Sequence, residues 1–144
     1  MYSGTTISQR SGKILGAHQK LDRVARRALE HALPGTAFPS IKDILSFEGV
    51  NGPDGIKRKS PARDEPWHYY DPTDPNDTML IEMIENHVLN LTKALKNGNT
   101  EKAAFEAAWL AHAIVDGLTP AHHFNLDKRL EELRGEGLET RTSI

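Results

Sequence analysis

No cysteine occurs in the 144 residues, which excludes a disulfide framework and any thiolate metal site. A metal bound by this chain has only His, Asp and Glu to hold it, a donor set suited to zinc, manganese or iron. An excess of one charge is also lacking, since 18 Lys and Arg stand against 20 Asp and Glu. That balance argues against a protein that blankets a nucleic-acid backbone, and no stable nucleic-acid complex is expected. Long hydrophobic runs are missing too. No stretch approaches the roughly 18 apolar residues of a spanning helix, and the start of the chain holds no apolar core of signal-peptide length. The expectation is a chain that neither crosses a membrane nor displays an export signal.

What is present fits one domain over residues 1–144, with 38% apolar residues and 11 glycines at the lower edge of globular composition. Two local basic runs, one spread from Arg10 to Arg27 and one at Lys57, Arg58, Lys59 and Arg63, are expected to be solvated faces.

The apolar pattern predicts an all-α chain. After a frayed polar tail, Ile14, Leu15, Leu21, Val24 and Leu29 recur at helical spacing from Ser11 to a break at Pro34-Gly35, with His18 on or beside the buried stripe. Ser40 is placed to cap a short helix through about Phe47. A long loop is then expected from Gly49 to Asn76, and a loop of that length inside a compact domain needs something to pin it. Asp54, Asp64, His68 and Asp71 are the candidates. Asp77 or Thr78 opens a helix from Met79 to Lys96, in which His87 falls among polar neighbours and is expected to be exposed and without a role. Asn99 or Thr100 caps the next helix, and Leu126 to about Arg134 reads as a last charged one.

The chemistry concentrates between Ala103 and Asn125. Positions four apart on a helix lie about 40° from one another around its axis, so His112 and Asp116 share a face and can close on one point. Gly117 and Pro120 then turn the chain and bring His122 from another direction. A histidine on an alanine-rich face is equally readable as a hydrogen-bonded core residue. Asp116 is harder to dismiss, because a carboxylate near a helix C-terminus, amid Ile114, Val115 and Leu118, needs a cationic partner that its own last turn does not supply.

Separate motifs, in order, resemble the zinc-dependent phospholipase C family and its relatives, the single-strand-specific zinc nucleases. They are Gly16-Ala17-His18, Pro53-Asp54, His68-Tyr69-Tyr70-Asp71-Pro72, His112 to Asp116, and Pro120-Ala121-His122. Residues 16 to 125 carry the match. The resemblance implies a multi-helix phospholipase C/nuclease-like bundle with a long metal-pinned loop. It assigns Asp54, His68, His112 and Asp116 to one zinc ion, has Asp116 bridge to a second that also takes His18, and gives His122 to the remaining one.

The family also contributes an N-terminal tryptophan backbone and a later His-x-x-x-Glu pair. Here no tryptophan precedes Trp67 and no histidine follows His123, with Glu136 or Glu139 as possible substitutes. A truncated or divergent member with one well-formed zinc site is therefore expected, lacking the C-terminal part of the family fold. The implied function is zinc-dependent hydrolysis of a phosphodiester, either a phospholipid head group or a nucleic acid, with Asp54 orienting the attacking water. The alternative is a metal-stabilised helical domain, or a fragment of such an enzyme, that catalyses nothing.

Overall fold

The computed structural model describes residues 16–32, 37–59, 68–124, 129 and 132–133. Five α-helices with described bounds run in chain order among the described residues: α1 (Ala17–Ala32), α2 (Ile41–Leu45), α3 (Pro53–Lys59), α4 (Met79–Lys96) and α5 (Thr100–Gly117). Single 3-10 turns occupy Gly49–Asn51 and Pro120–His122, and no strand occurs among the described residues. The protein is all-α. No described helix is long and apolar enough to cross a membrane. The expected last helix lies largely outside the described residues, as do Asp64, Glu136 and Glu139.

The α4/α5 hairpin is the frame. Its connection is closed by Gly98 at φ 66°, with Gly98 N–H donating to Leu95 O at 3.1 Å and Asn99 N–H to Ala94 O at 2.9 Å, so the last carbonyls of α4 are satisfied as the chain reverses. Asn99 then caps α5 by accepting from the Lys102 N–H at 3.0 Å. Ala103, Ala104, Ala107 and Ala108 are all buried on α5, and their small side chains let neighbouring elements approach closely. Ile44 of α2 packs against Ala107 and Ala108, with Phe38, Phe47, Leu91 and Trp109 around them. Ser40 and Asp43 form a reciprocal capping box that starts α2.

Three expectations are corrected. The stripe of α1 predicted to be buried is turned outward, leaving Leu21 45% and Val24 66% exposed, while His18, Gln19 and Asp22 face in. Periodicity locates a helix face but cannot say which face meets a polar interior. His87 is buried rather than exposed, held by a 2.5 Å contact between its Nδ1 and Glu106 Oε2, with Lys102 Nζ 2.8 Å from Glu106 Oε1. That contact lets two buried polar side chains satisfy one another between α4 and α5.

The stretch after Gly49 is also more ordered than a loop. Gly52 and Pro53 lead straight into α3, so Asp54 sits in the first turn of a helix, where a carboxylate is favoured by the dipole. Gly117 ends α5 as expected, without a positive φ, and a Cβ there would meet Leu80 Cδ2 at 3.3 Å.

Candidate metal centre

Among the described residues nine polar or charged side chains are buried, almost as many as the apolar ones. Burying so many ionisable groups costs free energy unless they are paired or held by a cation. Most of them meet around Asp116, which is 1% exposed.

Each oxygen of that carboxylate faces two imidazoles. His18 Nε2 lies 3.3 Å and His122 Nε2 3.6 Å from Oδ1, while His68 Nδ1 lies 2.9 Å and His112 Nε2 3.3 Å from Oδ2. The partner that the sequence demanded for Asp116 is supplied by four histidines from four parts of the chain. Asp54 Oδ1 stands 3.8 Å from His112 Nε2 and closes the cluster on that side. His18 and His112 stack in nearly parallel planes, with ring centroids 3.8 Å apart.

Local structure holds these groups in place. His18 is on the inward face of α1, and Arg26 of the same helix donates from Nε to Pro39 O at 2.7 Å, tying α1 to the segment that leads into α2. Segments 68–70 and 120–123 are laced together, since Tyr70 N–H donates to His122 O at 3.0 Å and His122 Nδ1–H to His68 O at 2.7 Å. A carbonyl can only accept, so His122 carries its proton on Nδ1 and turns an unprotonated Nε2 toward Asp116 when neutral. His123 Nε2–H donates to Gly117 O at 2.9 Å and caps α5.

The electrostatics follow from this crowding. Burial pushes Asp116 toward neutrality, but the imidazoles of His112, His18 and His68 outweigh it and hold the carboxyl well below the usual carboxylate range. Burial likewise disfavours protonated His112, yet the Asp116 and Glu48 carboxylates raise its pKa to about 10. Asp22 goes the other way. Burial, and then the charge of Glu48, push it up to about 7 against a smaller opposing pull from His112.

Two trios bring one ligand atom each to within 4.8 Å of the others: His18, His112 and Asp116, and Asp54, His68 and His112. The donor set suits a divalent cation. Bonds of about 2.0–2.1 Å in a tetrahedral zinc site put ligand atoms roughly 3.3–3.4 Å apart, and the His18–Asp116 and His112–Asp116 separations are both 3.3 Å. Both ring nitrogens of His112 and Oδ2 of Asp54 are buried and make no hydrogen bond among the described residues. Buried polar atoms in that state are what a bound ion or ordered water satisfies.

All six residues singled out in the sequence, His18, Asp54, His68, His112, Asp116 and His122, converge here. His122 does so differently from the resemblance, which gives it a separate ion, because it shares an Asp116 oxygen with His18. Asp71 stays outside the cluster. It is exposed and accepts from the Thr73 hydroxyl and N–H at 2.6 and 2.9 Å, bonds that lower its pKa.

Asp22 and Glu48, 5% and 4% exposed, were missed. Asp22 had a signal, the same His-x-x-x-Asp spacing from His18 that marks His112 and Asp116. Glu48 had none. Beside the cluster, beyond Tyr69 whose ring stacks 5.9 Å from that of His122, a cavity of about 340 Å³ is lined by residues including Asp71, Asp77, His123 and Phe124.

No family model, curated protein or solved structure matches this chain.

Proposed function

We propose that the protein is a zinc-dependent phosphodiester hydrolase. The observation that carries the reading is one buried carboxylate, Asp116, faced on both oxygens by imidazoles from α1, the segment before α4, α5 and the turn after it. A helical domain gains nothing in stability from collecting four histidines and two further buried carboxyl groups in one place unless a cation joins them.

Asp54, His68, His112 and Asp116 would hold one ion, and Asp116 with His18 a second, with His122 beside it. Zinc bound there supplies Lewis acidity, bringing the pKa of water to about 7 and offsetting the charge of a phosphodiester. The chain's own residues do the rest. Asp54, whose side chain is 13% exposed against 1–2% for His68, His112 and Asp116, is the carboxylate best placed to orient a water and accept its proton. His122, at 23%, stands at the solvent edge where the leaving oxygen would depart. The buried remainder excludes bulk water and fixes the donors in advance, which is what electrostatic stabilisation of a developing charge requires.

A second reading is favoured by one observation, that only Asp54 and His122 of the six reach toward the surface. In it the ion merely ties α1, α3 and the segment before α4 to α5, and nothing is hydrolysed. Assay of the zinc-loaded protein on bis(p-nitrophenyl) phosphate separates the two. Turnover is expected, with kcat reduced about 10²–10⁴-fold in Asp54→Asn. Absence of turnover by a fully loaded protein removes the hydrolase and leaves the scaffold.

A further inference from the structure

Glu48 lies outside the set of residues that would touch an ion, yet it is among the most deeply buried charged groups described, its side chain 1% exposed. Oε2 accepts from the Gly49 N–H at 3.3 Å, and Oε1 faces Nδ1 of His112 at 3.6 Å. Neither Oε1 nor that Nδ1 makes a hydrogen bond among the described residues. The opposite edge of the ring, Nε2, is the one turned to Asp116 and Asp54. His112 therefore has a carboxylate at each edge, and they differ in kind: Asp116 and Asp54 face the proposed ion, whereas Glu48 stands behind the ring.

The backbone is built to put it there. From Glu48 the chain makes a 3-10 turn through Gly49–Asn51 and folds back so closely that a Cβ on Gly52 would lie 2.8 Å from Glu48 Cα and 2.9 Å from Phe47 O. Both are backbone atoms that cannot move aside. This one turn delivers Glu48 to the Nδ1 edge of His112 and, two residues after Gly52, Asp54 to the Nε2 edge.

A neutral imidazole carries one ring proton, and only the nitrogen without it can bind a cation. We infer that Glu48 is a positioning residue that accepts the Nδ1 proton of His112 and so fixes the tautomer and ring orientation in which Nε2 meets the ion. The contact needs to shorten by about 0.7 Å to become an ordinary hydrogen bond, which takes a movement of the Glu48 carboxylate toward the ring. A carboxylate behind a ligating histidine also raises its basicity, and losing such a partner typically costs 10–100-fold in metal affinity. The inference rests on the metal reading above, and its test separates the two.

Zinc affinity is measured by competition with a chromogenic chelator on wild type, Glu48→Leu and Glu48→Gln, each shown to be helical by circular dichroism. The expected result is that Glu48→Leu, close in volume but with no acceptor, binds zinc 10–100-fold more weakly. Glu48→Gln, which keeps an acceptor without the charge, falls between that variant and wild type. The nitrogen chemical shifts of the His112 ring in zinc-loaded wild type need no variant to fold; they are expected to report a protonated Nδ1 and a metallated Nε2. Wild-type affinity in Glu48→Leu, or a metallated Nδ1, overturns the role of Glu48 while leaving the metal site intact. A wild type that binds no zinc overturns the metal reading and this inference with it.

Discussion

Asp22 is the residue at which the electrostatics of the cluster are easiest to isolate. Its folded-state pKa of about 7 lies above the ordinary 3.8, so the folded chain binds the proton more tightly than the unfolded one does. The associated stability is present below about pH 4 and is lost as pH rises toward 7. Asp22→Asn mimics the protonated carboxyl and removes that loss. Thermal melts of metal-free protein should show the variant stabilised at pH 8, by about 2–4 kcal/mol, and level with wild type at pH 4. A variant no more stable than wild type at pH 8 would contradict the raised pKa of Asp22.

His112 sets a second pH dependence. With its pKa raised to about 10 in the metal-free chain, a cation must displace a proton from Nε2 to bind. Apparent zinc affinity should therefore climb by about tenfold per pH unit through neutrality. Titrations at pH 6.5, 7.5 and 8.5 read this directly, and a flat profile would show that His112 does not ligate.

At the scale of elements, what could be read in the sequence divides along a physical line. The limits of α4 and the cap of α5 were legible because Met79, Ile84, Leu91 and Leu95 keep helical spacing and Asn97-Gly98-Asn99 punctuates it. His112 and Asp116 were legible as a pair because spacing along one helix fixes direction. His18, Asp54, His68 and His122 are brought to the same point only by tertiary packing; Asp54 and His68 could be named as loop pins and His122 from the turn after α5, but only the resemblance in motif order joined them with His18 into one site. The inward face of α1 and the burial of His87 could not be read at all. Whether a polar side chain is buried depends on the partner it finds, Asp116 for His18 and Glu106 for His87, and local periodicity carries no information about that partner.

The turn at 48–54 gives the sharpest test at this scale. Gly52→Ala places a methyl against Glu48 Cα and Phe47 O, so the turn must open. Overpacking of this kind costs about 1–3 kcal/mol. Because the same turn delivers both Glu48 and Asp54, the variant should lose zinc affinity as well as stability, in contrast to a cap variant such as Ser40→Ala, which should cost about 1 kcal/mol and leave affinity unchanged. Denaturant melts paired with zinc titration distinguish them. Equal zinc affinity in Gly52→Ala and Ser40→Ala would separate the turn from the site.

Taken whole, the molecule is a helical hairpin, α4 and α5, against which α1, α2, α3 and the segment before α4 are held by a modest apolar core and a charged cluster. The apolar side is small, built largely on alanines with Ile44 and Leu80 as its deepest large side chains. Energy from binding a cation to preorganised ligands is then folding energy, since the unfolded chain has no such site. Saturating zinc should raise the midpoint of thermal unfolding by several degrees, and a chelator should reverse the gain without a change in the helical signal at 20 °C or so.

The most direct test of the central claim, that these six side chains enclose a cation, is the zinc content of the full chain after loading, desalting and elemental analysis. The account predicts at least one tightly held ion per chain, with that retention lost in Asp116→Asn. A wild-type chain that emerges folded and without zinc would contradict it.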